Sequence, residues 1–164
     1  YAEWLEKEDS TQDFVFGQIV GVKAGKISLN TRNAEQLLVG SMAPIVLGNM
    51  PQKDEHLYEK VAFLGQVPVW VRGKVTNGDY LLPSGYEDGT AIAVSEAAIR
   101  LEQVGQIIGR AWSSGDKEGI NVVNAVIGLS TPELGKLLNG RMKTMEDKID
   151  RLEALLLSPA QSKN

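Results

Sequence analysis

Carboxylates crowd the start of the chain: Glu3, Glu6, Glu8, Asp9 and Asp13 fall within the first thirteen residues. Side chains of this kind can hold a hard cation or exchange a proton in a general acid or base step. Their spacing lacks the Asp-x-Asp-x-Asp-Gly order of a calcium loop, so residues 7–13, which show no apolar period, read as a solvated surface loop. Other chemistry-bearing types are scarce. Cysteine is absent and His56 is the one histidine, which removes disulfides, thiol nucleophiles and Cys/His zinc sites and leaves no Ser-His-Asp triad. His56 stands in the polar stretch 49–58, a loop, with no fixed partner. Ser84, in Pro83-Ser84-Gly85, and Ser41 are thinkable nucleophiles, but no lysine is fixed beside either. The glycines form neither Gly-x-Gly-x-x-Gly nor Gly-Lys-Ser/Thr, so they make no phosphate loop. No cofactor and no metal is expected.

The elements that must position such residues are short strands. Tyr1-Ala2-Glu3-Trp4-Leu5-Glu6 alternates bulky and acidic side chains and reads as a strand with Glu3 on its polar face. Residues 16–29 read as a hairpin turning at Gly25, and 37–39 and 45–48 as further strands. The run 61–71 is the most hydrophobic, with Pro68 placed at an edge or bulge because it cannot donate to a ladder. Thr76-Asn77-Gly78-Asp79 predicts a hairpin through a type I′ turn, returning along Tyr80-Leu81-Leu82. Residues 91–94 read as a strand, and Ser95 predicts a capped helix through Leu101. Residues 121–128 form the last strand. Gly17-Gln18-Ile19, Gly65-Gln66-Val67 and Gly105-Gln106-Ile107 echo one another, a repeat too short to establish a duplication. The glycine content suits sharply bent strands in a small β-barrel or sandwich.

At 164 residues and 43% hydrophobic content the chain can bury one sizeable core. A formal charge of −4 without a basic patch argues against a nucleic-acid partner. No apolar run approaches the roughly 20 residues of a membrane span, so no membrane partner is expected. The first residue is Tyr1 rather than methionine, and the chain is read as a processed or excised piece. The expected organisation is a β-rich domain over 1–129, a helix over 130–158 and a disordered tail over 159–164.

The helix carries a seam. Leu138, Met142, Met145, Ile149, Leu152 and Leu156 recur at alternating steps of four and three, the repeat of a left-handed coiled coil. With Met142, Ile149 and Leu156 at a and Leu138, Met145 and Leu152 at d, Arg141 and Lys148 fall at g. Glu146 and Glu153 then fall at e, five residues on. Both g-to-e′ pairs are opposite in sign, which favours parallel copies of one chain. The alternative is a terminal helix packed on its own domain. Ser130-Thr131-Pro132-Glu133 announces the start, with Thr131 capping, while Gly135 and Gly140 predict that the well-formed helix begins near Arg141. The seam does not separate dimer from trimer.

The opening Tyr1-Ala2-Glu3-Trp4, the strands at Val67-Pro68-Val69 and 78–85, the strand 104–111 and the helical tail together resemble a known family. It is the C-terminal intramolecular chaperone and autocleavage domain of phage appendage and tail-fibre proteins, of glutamic self-peptidase type. The resemblance implies a parallel homotrimer that registers three fibre chains, whose partners are its own copies and the upstream shaft of the same parent. It also implies a single self-cleavage just upstream of Tyr1, with Glu3 as the catalytic residue. Such a domain works in the host cytoplasm during virion assembly, or stays on the virion or cell surface if retained. A permanent structural cap or receptor-binding tip without proteolysis is the rival reading.

Overall fold

The computed structural model describes residues 1–128 and 131–158, of which 131–133 by backbone alone. Eleven strands precede one helix among them: β1 Ala2–Lys7, β2 Ile19–Lys23, β3 Lys26–Ser28, β4 Gln36–Gly40, β5 Leu47–Gly48, β6 Tyr58–Ala62, β7 Gly65–Arg72, β8 Tyr80–Pro83, β9 Ala91–Val94, β10 Gly109–Ala111, β11 Ile120–Ile127 and α1 Thr131–Leu157. The chain divides into two compact units, Tyr1–Leu129 and Ser130–Asn164.

The first unit is mainly β and holds two small five-stranded barrels. In the first, β3, β2, β4, β6 and β1 are neighbours in that order, and a parallel pairing of β3 with β1 closes the ring. Further along the same edge of β1, β5 pairs in parallel with Ala2 and Glu3. The second barrel closes in the order β10-β11-β7-β9-β8.

Ranked within each barrel, the pairings are the same. The first strand runs parallel to the third and antiparallel to the fifth, and the second pairs with the third and fourth. Glu6 stands opposite Lys26 in one parallel pair and Val71 opposite Ala91 in the other, twenty positions apart each time. The duplication is one of topology. The three Gly-Gln echoes lie just before β2, at the start of β7 and just before β10, the second, first and fourth strands of their barrels, and so do not mark it.

Alternation along the strands explains how the barrels share a core. Ile19, Val39 and Ala62 belong to a cluster that continues through Val69, Leu81, Ala111 and Val123 of the second barrel. Their neighbours Val20, Leu38 and Val61 pack with Val22 and Ile27 in a separate cluster. Both faces of β2, β4 and β6 are therefore buried. Each fully buried Ile or Leu contributes about 1.5–3 kcal/mol through removal from water. The join also needs close backbone contact: the Trp70 N–H donates to the Gly17 carbonyl at 3.0 Å and the Ile19 N–H to the Gly89 carbonyl at 2.7 Å. A Cβ on Gly89 would lie 2.6 Å from Gln18 Cβ, and Gly89 has φ +78°, so glycine is required twice over.

Several expectations are corrected. The run 61–71 is two strands, broken at Phe63 and Leu64, because β6 belongs to one barrel and β7 to the other. The Asn77-Gly78 turn closes with the Asp79 N–H donating to the Thr76 carbonyl at 3.0 Å, but among its central residues only Gly78 has positive φ. It is not type I′, and β7 and β8 are not paired with each other. In place of a helix capped by Ser95 there is a turn, with the Ala98 and Ile99 N–H groups donating to the Ser95 carbonyl, then a 3₁₀ helix over Leu101–Gln106. That 3₁₀ segment also shortens the strand expected over 104–111 to Gly109–Ala111. Separately, the strand expected at 45–48 is only Leu47–Gly48, the length over which it pairs with β1. His56 lies in a short 3₁₀ helix, Glu55–Leu57, and is exposed.

Pro68 sits inside β7 opposite Asn124, whose backbone N–H and carbonyl turn away to the Ser113 hydroxyl and the Trp112 N–H. The missing N–H of Pro68 therefore removes no rung, and on its other side β9 reaches β7 only at Val71. In the second unit α1 runs from Thr131 to Leu157 through Gly135 and Gly140, so the start expected near Arg141 is too late. The expected cap at Thr131 and the tail 159–164 lie outside the described side chains and residues.

Candidate functional site

The site is built on β1. Its residues alternate, with Ala2 and Trp4 buried and Glu3 half-buried between them. The strand is held on both sides: Glu3 is opposite Val61 of β6 and Gly48 of β5, and the Ala2 N–H donates to the Val46 carbonyl at 3.0 Å. The Tyr1 α-amino group donates to the Leu64 carbonyl at 2.9 Å, and the Phe63 N–H donates to the Tyr1 carbonyl at 3.0 Å. Tyr1 and Phe63 rings stand 6.0 Å apart.

Two donors meet the Glu3 carboxylate, one at each oxygen. The Tyr1 hydroxyl donates to Oε1, and the Asn49 side-chain amide donates to Oε2 at 2.6 Å. Tyr1 reaches it because residues two apart share a strand face. Asn49 reaches it from the residue after β5, where it takes a left-handed conformation at φ 54°. Gly48 leaves room for this, since a Cβ there would already lie 3.4 Å from Glu3 Cγ. A carboxylate oriented in this way can accept or deliver a proton within hydrogen-bond reach of its own strand.

The other early carboxylates go elsewhere. Glu6 pairs with Lys26 at 2.8 Å, and that hydrogen bond raises the Lys26 ammonium above its ordinary range. Asp9 accepts the Thr11 hydroxyl at 2.6 Å and N–H at 2.8 Å, which hold its carboxyl below the usual value. Asp13 lines a shallow groove with Trp4, His56 and Lys60. The Ser84 hydroxyl stands 2.8 Å from the Thr90 hydroxyl oxygen, to which it can donate, and accepts the Tyr86 N–H at 3.3 Å.

A second polar cluster, missed from sequence, lies at the join of the barrels. Asp88 pairs with Arg72 and accepts the Thr90 hydroxyl at 2.5 Å and N–H at 3.0 Å, while its carbonyl receives the Gln18 amide at 3.2 Å. Burial pulls the Asp88 carboxyl upward, but the Thr90 donors and the Arg72 guanidinium together outweigh it and hold it below the usual range. Arg72 also covers the Tyr86 ring at 4.7 Å. The cluster braces the junction.

On α1, the six seam residues are all exposed, from 36% at Leu138 to 85% at Leu156. Met142, Met145, Ile149 and Leu152 lie between those limits. Glu146, Lys148 and Glu153 are exposed and Arg141 is half-buried. The helix is 27 residues long and apolar along one stripe, and nothing within it can cover that stripe.

What the fold defines is a class: a mainly β double barrel with a long C-terminal helix. No family model matches the chain, and no curated protein matches it. Among solved structures it is similar to the crystal structure of the C-terminal fragment of gene product 12 from bacteriophage phi29. The TM-score is 0.56 at 14% identity, over 77% of this chain and 99% of that one. At this identity the likeness is one of fold.

Proposed function

We propose that this chain is the assembly domain of a phage-type fibre or appendage protein, which joins three parallel copies through α1 and is then released by self-cleavage. The carrying observation is the exposed heptad stripe from Leu138 to Leu156. Six large apolar residues in water on one face of a helix are stabilised by partner helices with the same stripe. The fold shared with a phage protein's C-terminal fragment supports the setting. Joining three chain ends makes pairing of the upstream shaft effectively intramolecular.

Glu3 performs the release in this reading. Water attacks the carbonyl of a peptide bond just upstream of Tyr1, Glu3 takes the water's proton and returns it to the departing amide nitrogen, and the carbon–nitrogen bond of that peptide breaks. The Tyr1 hydroxyl and the Asn49 amide keep the carboxylate aimed along β1. Proximity within one strand supplies a high effective concentration for a single turnover.

Sedimentation of the chain at micromolar concentration tests the assembly. A three-chain mass is expected, and a single-chain mass overturns it. Expression of the longer parent tests release. Two fragments divided near Tyr1 are expected, whereas one stable full-length band favours a permanent cap.

A further inference from the structure

A second set of exposed apolar residues lies on the first unit. From Ser41 to Gln52 the chain carries no charged side chain, while Met42, Ile45, Val46, Leu47 and Met50 are exposed and Ile45 fully so. The stretch contains β5, the last strand of its sheet, which among the described residues pairs with β1 alone. It therefore presents an open backbone edge without the charges that ordinarily protect one. All four methionines of the chain are exposed, two here and two on the α1 seam. Methionine adapts to apolar contacts of irregular shape.

We propose that residues 41–52 form a second contact between copies of this chain, body against body around the threefold axis. The inference rests on the trimer reading above and adds to it a surface separate from the helix. Charge selects the occupant. Near a symmetry axis a residue faces its own copies, so any charged side chain there meets like charge. Twelve consecutive uncharged residues in a chain with 23% charged residues fit such a position. An unrelated partner would impose no such restriction and would more readily be met by opposite charges on the rim.

The contact bears on Glu3 as well. Val46 supplies the carbonyl that receives the Ala2 N–H and Asn49 supplies the amide on the Glu3 carboxylate. Pressing this segment against neighbouring copies would hold both donors and acceptors in place.

Hydrogen peroxide footprinting of the whole chain, read by peptide mass spectrometry beside its sedimentation mass, tests the contact. The expected result is a trimer in which Met42 and Met50 oxidise at least about tenfold more slowly than in an Ile45→Lys variant. Ile45 touches water on all sides in the single chain, so the variant should fold and remain trimeric through α1. A trimer with Met142 and Met145 protected but Met42 and Met50 oxidised as fast as free methionine overturns this contact and leaves the helix reading intact. Protection appearing only in the longer parent, with its upstream shaft attached, overturns a second copy as the occupant. A monomer with all four methionines oxidised overturns both readings.

Discussion

The Asn49 side-chain amide donates to the Glu3 carboxylate at 2.6 Å, across forty-six positions of sequence. With the Tyr1 hydroxyl on the other oxygen, it leaves the carboxylate one orientation. Glu3→Gln in a parent extended upstream of Tyr1 should reduce cleavage about 100-fold or more, the range of a general acid or base. Asn49→Ala should slow it about tenfold, in line with a hydrogen bond to a charged group. Both variants should fold, as judged by unchanged far-ultraviolet circular dichroism. Normal cleavage of Glu3→Gln would remove Glu3 from the chemistry.

The seam predicts a charge-sensitive assembly. Ile149→Asp places a carboxylate at an a position and should convert the oligomer to monomer at micromolar concentration, by sedimentation. Lys148→Glu opposes Glu153 across the interface, and adding Glu153→Lys should restore what is lost. Each such pair amounts to about 0.2–1 kcal/mol and should fade at high salt. Equal masses for all variants would exclude the seam as the interface.

Acid should loosen the barrel junction through Asp88. Its carboxyl lies below the usual value in the folded chain, so the stability it contributes is present above about pH 4, the ordinary range for an unfolded aspartate, and is lost as pH falls through the folded value. Asp88→Asn should cost about 1–2 kcal/mol at neutral pH, since more than a third of each side chain of the Arg72 pair meets water. Its melting temperature should also vary less with pH below 4 than that of the parent. Parallel pH profiles would show that Asp88 is not the titrating group.

Gly89→Ala should cost about 2–4 kcal/mol, combining positive φ with a contact on Gln18 that cannot be relieved without parting the barrels. Gly25→Ala, at positive φ but with open space around it, should cost about 1–2 kcal/mol. Chemical denaturation separates them. Similar values for both would mean that the close approach at Gly89 relaxes freely.

Local pattern made some elements legible and long-range closure hid others. β1, the β2–β3 hairpin, β4, β11 and α1 follow from alternation, a glycine turn and a heptad repeat, each contained in one stretch. The split of 61–71 follows from membership of different barrels, which no property of Phe63 or Leu64 announces. Asn77-Gly78 carries a strong hairpin signal, yet the partner of β8 is set by β9 and β10. At the site, Glu3 and Tyr1 share a strand face and could be paired from spacing alone. Asn49 could not, because only the parallel pairing of β5 with β1 brings it near.

In each barrel the first strand pairs with the last, so β1 is seated between partners that come from β3, β5 and as far along as β6. A chain emerging from the ribosome exposes Glu3 some sixty residues before Tyr58–Ala62 exists to receive it. Contacts this distant in sequence form late, after the cost of closing the loop has been met. The opening strand is thus the last stave set, and whatever Glu3 does waits on completion of the barrel around it. The parallel ring topology acts as a clock on its own first residues.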